Sequence, residues 1–222
     1  MITIAGLPRG VLDIPELIIP AGRVAVIGPN GGGKTTLLRL LAGLDLPPGG
    51  EILVDGLPPR SREVGWVGES PARGMIFNRV SDEIASPLRF RHDPCPLVDE
   101  RVKEIATELG IGGLLGRETG DLSAGERTMV ALGAALASRP DILILDETDS
   151  NLDQESSGRV EGLLRRISCP HILFSTQRME LAGRSDHVLF MEKGRVLHSG
   201  SPGAVFPALA GTPFFPPSWR YL

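Results

Sequence analysis

Two rhythms of apolar and polar positions run along this chain and divide it into elements. Arg23–Gly28 (RVAVIG) is a short β-branched run ending in glycine, as a buried strand would. Lys34–Leu44 (KTTLLRLLAGL) carries leucines at 37, 38, 40, 41 and 44, which suits a buried helix; Gly43 and Pro47-Pro48 supply its stop. EILVDG and VGWVG predict two further strands on either side of a proline-rich turn. From about residue 70 to 121, prolines and glycines scatter around the amphipathic DERVKEIATELG, which predicts a helical insertion. SAGERTMVALGAALASRP predicts a long helix with small residues on one face, stopped before Pro140. DILILDE is an apolar strand ending in acid, QESSGRVEGLLRRI a helix, HILFS a strand and HVLFMEKGRVLHSG a hairpin turning near Lys193-Gly194. The tail GTPFFPPSWRYL predicts an extended segment packed on the core or on a partner. Strands alternating with helices imply an α/β fold with a largely parallel sheet covered on both faces.

Composition narrows the class. At 222 residues and 41% hydrophobic, the chain can bury the core of one sizeable domain with a subdomain. A net charge of −4 argues against a general nucleic-acid surface, so no nucleic-acid partner is expected. Cys95 and Cys169 lack metal-type spacing and read as ordinary thiols of a reducing compartment. MITIAGLPRG has no signal-peptide pattern, and no apolar run approaches the ~18–20 residues of a membrane span. The expectation is a cytosolic chain without a transmembrane segment of its own; membrane work would need a partner that supplies the spans.

GPNGGGKTT follows the first buried strand and opens a helix. It fits G-x-x-x-x-G-K-[ST] through Gly28, Gly33, Lys34 and Thr35, with Pro29, Asn30, Gly31, Gly32 and Thr36 completing the stretch. Glycines let successive N–H groups turn inward onto phosphate oxygens, and the helix N-terminus adds favourable partial charge. Lys34 can reach the β- and γ-phosphates, and the Thr35 hydroxyl can sit on Mg²⁺. At the end of the ILILDE strand, Asp146 is placed to hold Mg²⁺ through its water shell, and Glu147 to orient or deprotonate an attacking water. A chance glycine-rich turn and a solvated pair of carboxylates are the plainer alternatives; their order along the chain favours nucleoside triphosphate chemistry. Ser175 to Arg178 place polar groups where HILFS runs out, which predicts delivery to a site.

Leu122–Glu126 (LSAGE) begins the long helix. Ser123 and Glu126 form a capping box, and Ser123-Ala124-Gly125 present N–H groups at a helix start. LSAGE, then ILILDE, then SNLD (Ser150–Asp153), in that order after a phosphate loop, resembles the ATP-binding cassette (ABC) ATPases. The resemblance runs from Gly22 to Gly200, and GRVLHSG is similar to the family's closing hairpin. It implies a P-loop NTPase fold: a mostly parallel central sheet, a small N-terminal antiparallel β part and a helical subdomain. The whole of residues 1–222 would be one ABC ATPase domain, with a core over about 1–69 and 139–222 and the helical subdomain over about 70–138. It also implies ATP and Mg²⁺ as ligands and a second ABC ATPase subunit, identical or not, whose Ser123-type loop closes on the γ-phosphate. An integral membrane transporter subunit would be driven by the cycle, with the insertion as contact surface. The chain would then be cytoplasmic and peripheral on the inner face of the membrane. VGESPARGMIFNRVSDEIA is similar to the Q-loop segment of energy-coupling-factor and cobalt-type importers.

Three positions depart from the family pattern. Gln177 stands where the family places a histidine; an amide can donate a hydrogen bond but cannot carry a proton or a charge. Glu69 replaces the Q-loop glutamine and is a candidate Mg²⁺ ligand, unless the alignment slips by a residue. No aromatic residue in MITIAGLPRGVLDIPEL is available to stack adenine; Arg9 could stack by its guanidinium plane or be simply solvated. Together they predict a slow site, in one half of an asymmetric pair or in a slow homodimer. Two rivals of other classes remain: a soluble ABC ATPase without transport, such as an assembly or ribosome-associated factor, and a metabolic P-loop kinase. LSAGE and SNLD argue against the kinase.

Overall fold

The structure is a computed structural model that describes residues 1–8, 10, 12–150, 152 and 154–221. Arg9, and Asn151 and Asp153 of SNLD, lie outside the described residues. The elements begin β1 (Ile2–Leu7), β2 (Ile14–Ile19), β3 (Gly22–Ile27), α1 (Lys34–Leu41), β4 (Glu51–Val54) and β5 (Val64–Val67). They continue with α2 (Pro71–Gly74), α3 (Val80–Phe90), α4 (Cys95–Glu108), α5 (Ala124–Ala137), β6 (Ile142–Asp146) and α6 (Gln154–Leu164). Last come β7 (His171–Ser175), α7 (Met179–Ala182), β8 (His187–Glu192), β9 (Arg195–Gly200) and α8 (Pro202–Val205). Contacts divide the chain into two compact units: Met1–Arg62, Ile144–Glu147 and Pro170–Leu222 in the first, Glu63–Leu143 and Thr148–Cys169 in the second.

In the first unit, β3 pairs in parallel with β7 on one side and β8 on the other, and β9 closes the edge antiparallel to β8. Strands β3, β7 and β8 are apolar without alternation because both faces are covered; Ala25, Val26, Ile27, Leu173 and Leu189 have no exposed surface. A separate antiparallel sheet, in the order β2-β1-β4, takes EILVDG away from the parallel strands. Its register sets Ile2 opposite Ile19 and Val54, so one face is oily. Helix α1 ends three residues earlier than the leucine pattern predicts. Leu37, Leu38 and Leu41 are fully buried, at ~1.5–3 kcal/mol each, whereas Leu44 lies beyond Gly43 and is half exposed.

The tail is not extended as predicted. Pro217–Tyr221 form a 3₁₀ turn, because proline fixes the backbone angle a turn needs at its first position. It packs on its own unit: Phe214 meets Phe190 of β8 and Trp219 meets Phe206, both edge-on at 5.3 Å.

The second unit holds β5, the start of β6 and helices α2 to α6. Helix α3 was not legible as a helix in the sequence, since Pro87 sits inside it. The proline strips Glu83 O of its helical donor, and the Ser86 hydroxyl donates to that carbonyl at 2.8 Å instead. Helix α5 begins with the predicted capping box, both bonds present.

Candidate nucleotide site

Residues Gly28–Gly33 leave β3 and enter α1, whose N-cap is Gly33. Gly28 has φ 138°, and a Cβ there would fall 1.9 Å from Met191 O, so only glycine lets the loop pass β8. The β8–β9 turn holds the loop from outside. Lys193 and Gly194 both have positive φ, as a two-residue turn of right-handed strands requires. The N–H of Gly194 donates to Gly32 O at 2.9 Å, and Gly194 O accepts from Asp13 N–H at 2.8 Å.

Lys34 is buried, and its ammonium donates to Gly28 O at 3.0 Å and Pro29 O at 3.2 Å. It also stands 3.4 Å from Glu147 Oε1. Gln177, where β7 has run out, donates from one amide nitrogen to Asn30 Oδ1 at 3.0 Å and to Glu147 Oε1 at 3.2 Å. The two predicted catalytic residues, Glu147 and Gln177, therefore meet each other and the loop. Asp146 is buried at the end of β6, and Thr35 faces solvent at the start of α1 with Thr36 half-buried behind it. All of these residues belong to the first unit.

Sequence reasoning missed what Ser175 does. Its hydroxyl donates to Asp146 Oδ1 at 2.6 Å and accepts from Glu147 N–H at 2.9 Å. Glu147 has φ 48°, a left-handed conformation that costs a non-glycine residue about 1–3 kcal/mol, and Ser175 is one of the groups that hold it there. A polar residue closing an apolar strand was the only signal, and it did not name the partner.

In the second unit, Ser123 and Glu126 exchange bonds: Ser123 N–H donates to Glu126 Oε2 at 2.8 Å and Glu126 N–H to Ser123 Oγ at 3.2 Å. The Ser123 N–H, aided by its hydroxyl and by Arg117 at 2.8 Å, holds the Glu126 carboxyl below its ordinary pKa against the effect of burial. Gly125 passes Ser156 so closely that a Cβ would lie 2.3 Å from its hydroxyl. Ser123, Gly125 and Glu126 line a cavity of ≈ 440 Å³ with Ile111, Met129 and Arg159. Ala124, the first residue of α5, is exposed beside them. Glu69 is exposed after β5 in this unit. Nearby, buried Glu83 accepts from the N–H groups of Ile76 and Phe77 at 3.0 and 2.9 Å and pins the loop before α3.

A glycine-rich loop between a parallel strand and a helix, backed by a lysine and two strand-end acids, defines a P-loop nucleotide-binding protein. The family described as ABC transporter matches residues 14–150, and the chain belongs to that family. The trehalose/maltose import ATP-binding protein MalK of Thermococcus litoralis is 34% identical over 84% of this chain and 54% of that protein. The energy-coupling factor transporter ATP-binding protein EcfA1 of Halalkalibacterium halodurans is 33% identical over 88% of this chain and 74% of its own. The chain thus spans little more than half of the first relative. Among solved structures, cbiO1 of Clostridium perfringens, part of the ABC transporter complex cbiONQ, is 25% identical and superposes with a TM-score of 0.83, covering 93% of this chain and 90% of that one. A dimeric ATP-binding cassette bound to ADP and phosphate shares the fold at a TM-score of 0.80 and 20% identity, over 91% of this chain and 99% of that one. Among the described residues no helix is long and apolar enough to cross a membrane.

Proposed function

We propose that the chain is the ATP-binding and ATP-hydrolysing subunit of a membrane transporter, acting as one half of a nucleotide-driven dimer. The observation that carries this reading is the Gln177 amide on both Asn30 and Glu147, beside Lys34. It joins the loop, the acid and the strand end in one cluster.

The cradle fits a triphosphate. Residues Gly28 to Thr36 offer N–H groups and a cation, and Lys34 exchanges its carbonyl partners for phosphate oxygens. The Thr35 hydroxyl and the Asp146 carboxylate are hard oxygen donors of the kind Mg²⁺ takes. Bound Mg²⁺ supplies neutralisation of charge on the phosphates. Glu147 orients the attacking water and takes its proton, giving ADP and phosphate. Gln177 holds the Glu147 carboxylate in place but relays no proton, which makes the site slow.

The Ser123–Glu126 loop of each subunit closes on the γ-phosphate held by the other. In an asymmetric pair, this chain's loop completes a faster site on an unlike partner. Residues 1–222 serve as one domain, with the helical part meeting the membrane subunit. The groove of ≈ 400 Å³ lined by Trp66, Arg73, Met75 and Glu83 supports that contact, as do the exposed Ile76 and Phe90. Import is the direction favoured by the transport named for MalK. Calorimetry with Mg–ATP tests the reading: the parent and Glu147→Gln bind, Lys34→Ala does not, and only the parent releases phosphate. Binding by Lys34→Ala equal to the parent's overturns it.

A further inference from the structure

We infer that the C-terminal stretch from Phe206 to Trp219 positions Gln177, through a clamp of Ser218 on Glu180. The inference rests on the ATPase reading above.

Gln177 sits on the turn between β7 and α7, and α7 has only four residues. A single helical turn does not hold itself, because nucleation costs more than one turn returns. Tertiary contacts must therefore fix it. On its inner side Met179 and Ala182 are buried. On its outer side the Glu180 carboxylate is gripped twice by one residue: Ser218 N–H donates to Oε1 at 2.9 Å and the Ser218 hydroxyl to Oε2 at 2.6 Å. The carboxylate thereby satisfies an N–H at the start of the 3₁₀ turn Pro217–Tyr221, where no backbone carbonyl is available. These two bonds hold Glu180 below its ordinary pKa.

Ser218 is itself anchored. Its neighbour Trp219 packs edge-on against Phe206, which is fully buried, and Phe214 packs on Phe190 of β8. The indole nitrogen also comes within 3.6 Å of where a Gly183 Cβ would lie, directly after α7. A continuous path of contacts thus leads from two core phenylalanines through the tail to α7, and from α7 to the amide. The amide bonds at 3.0 and 3.2 Å tolerate little displacement, since a hydrogen bond stretched by half an ångström is largely lost. Gln177 is exposed, so α7 and the strand end decide where it stands.

The test compares Ser218→Ala and Ser218→Thr in the full chain, alone and combined with Gln177→Ala. Ser218→Ala lowers kcat about fivefold, the scale of one typical solvent-exposed hydrogen bond, with KM and Mg–ATP affinity unchanged. Ser218→Thr restores the rate, and Ser218→Ala has no further effect where Gln177 is already alanine. Equal losses in both backgrounds, or unchanged turnover, overturn the inference. Hydrogen exchange through residues 176–182 of the nucleotide-free chain separates it from the ATPase reading: faster exchange in Ser218→Ala supports the clamp, and unchanged exchange overturns it. Failure of the parent to bind Mg–ATP overturns the ATPase reading alone.

Discussion

The hydroxyl of Ser175 lies 2.6 Å from Asp146 Oδ1, with the hydroxyl oxygen also accepting the N–H of Glu147 at 2.9 Å. One small side chain on β7 thus fixes a carboxylate rotamer and a left-handed backbone at the end of β6. Replacing it with alanine removes the donor to a buried carboxylate and a partner of the Glu147 N–H. Losing a hydrogen bond to a buried carboxylate costs about 1.5–3 kcal/mol, so Ser175→Ala should lower kcat about 10- to 100-fold. The Mg²⁺ concentration for half-maximal ATPase activity should rise, and Ser175→Thr should keep most of the activity. Phosphate release titrated against Mg²⁺ measures both.

Gln177 gives a prediction of opposite sign. Imidazole can share a proton and a charge, which amide cannot, and such help is worth about 10²–10⁴-fold where it operates. The purified chain should turn over ATP slowly, and Gln177→His should raise kcat. Steady-state phosphate release from the two proteins decides it, and a brisk parent with an indifferent variant would count against the asymmetric pair.

A methyl group on Gly28 has nowhere to go, with Met191 O at 1.9 Å and φ at 138°. Gly28→Ala should therefore lose at least about 3 kcal/mol of stability, or fail to fold, since backbone strain and overlap add. Denaturant unfolding at constant slope gives the figure.

Glu126 ties stability to acidity. Its folded pKa lies below its unfolded one because the Ser123 N–H, and then the Ser123 hydroxyl and Arg117, favour the charged form. The contribution is complete above the unfolded carboxylate range, around pH 4.3, and is lost as pH falls through the depressed folded value. Glu126→Gln should melt below the parent at pH 7, and the gap should close in acid. Melting temperatures followed from pH 7 to pH 3 report the convergence.

Much of the scaffold was legible because its physics is local. The apolar runs ILILD and HILFS sit fully buried as β6 and β7, and the Ser123–Glu126 capping box needs only three intervening bonds of helix. The glycine-rich loop between β3 and α1 was equally readable as a turn, because its glycines answer to backbone demands at fixed offsets. What escaped depends on residues far apart in sequence. EILVDG reads as a strand, but its pairing with β1 instead of the parallel strands is decided by tertiary contacts. Helix α3 hides behind Pro87, whose cost the Ser86 hydroxyl offsets. Ser175 meets its acids, and Ser218 meets Glu180, only after the chain has folded.

The grip of Gly194 on Gly32 carries a consequence for variation in this protein. A surface hairpin is ordinarily free to drift, to lengthen or to accept an inserted residue. Here the turn acts as a doorstop for a distant backbone, so a lesion at Lys193-Gly194 would leave every reactive side chain in place and still slacken the proposed hold on ATP.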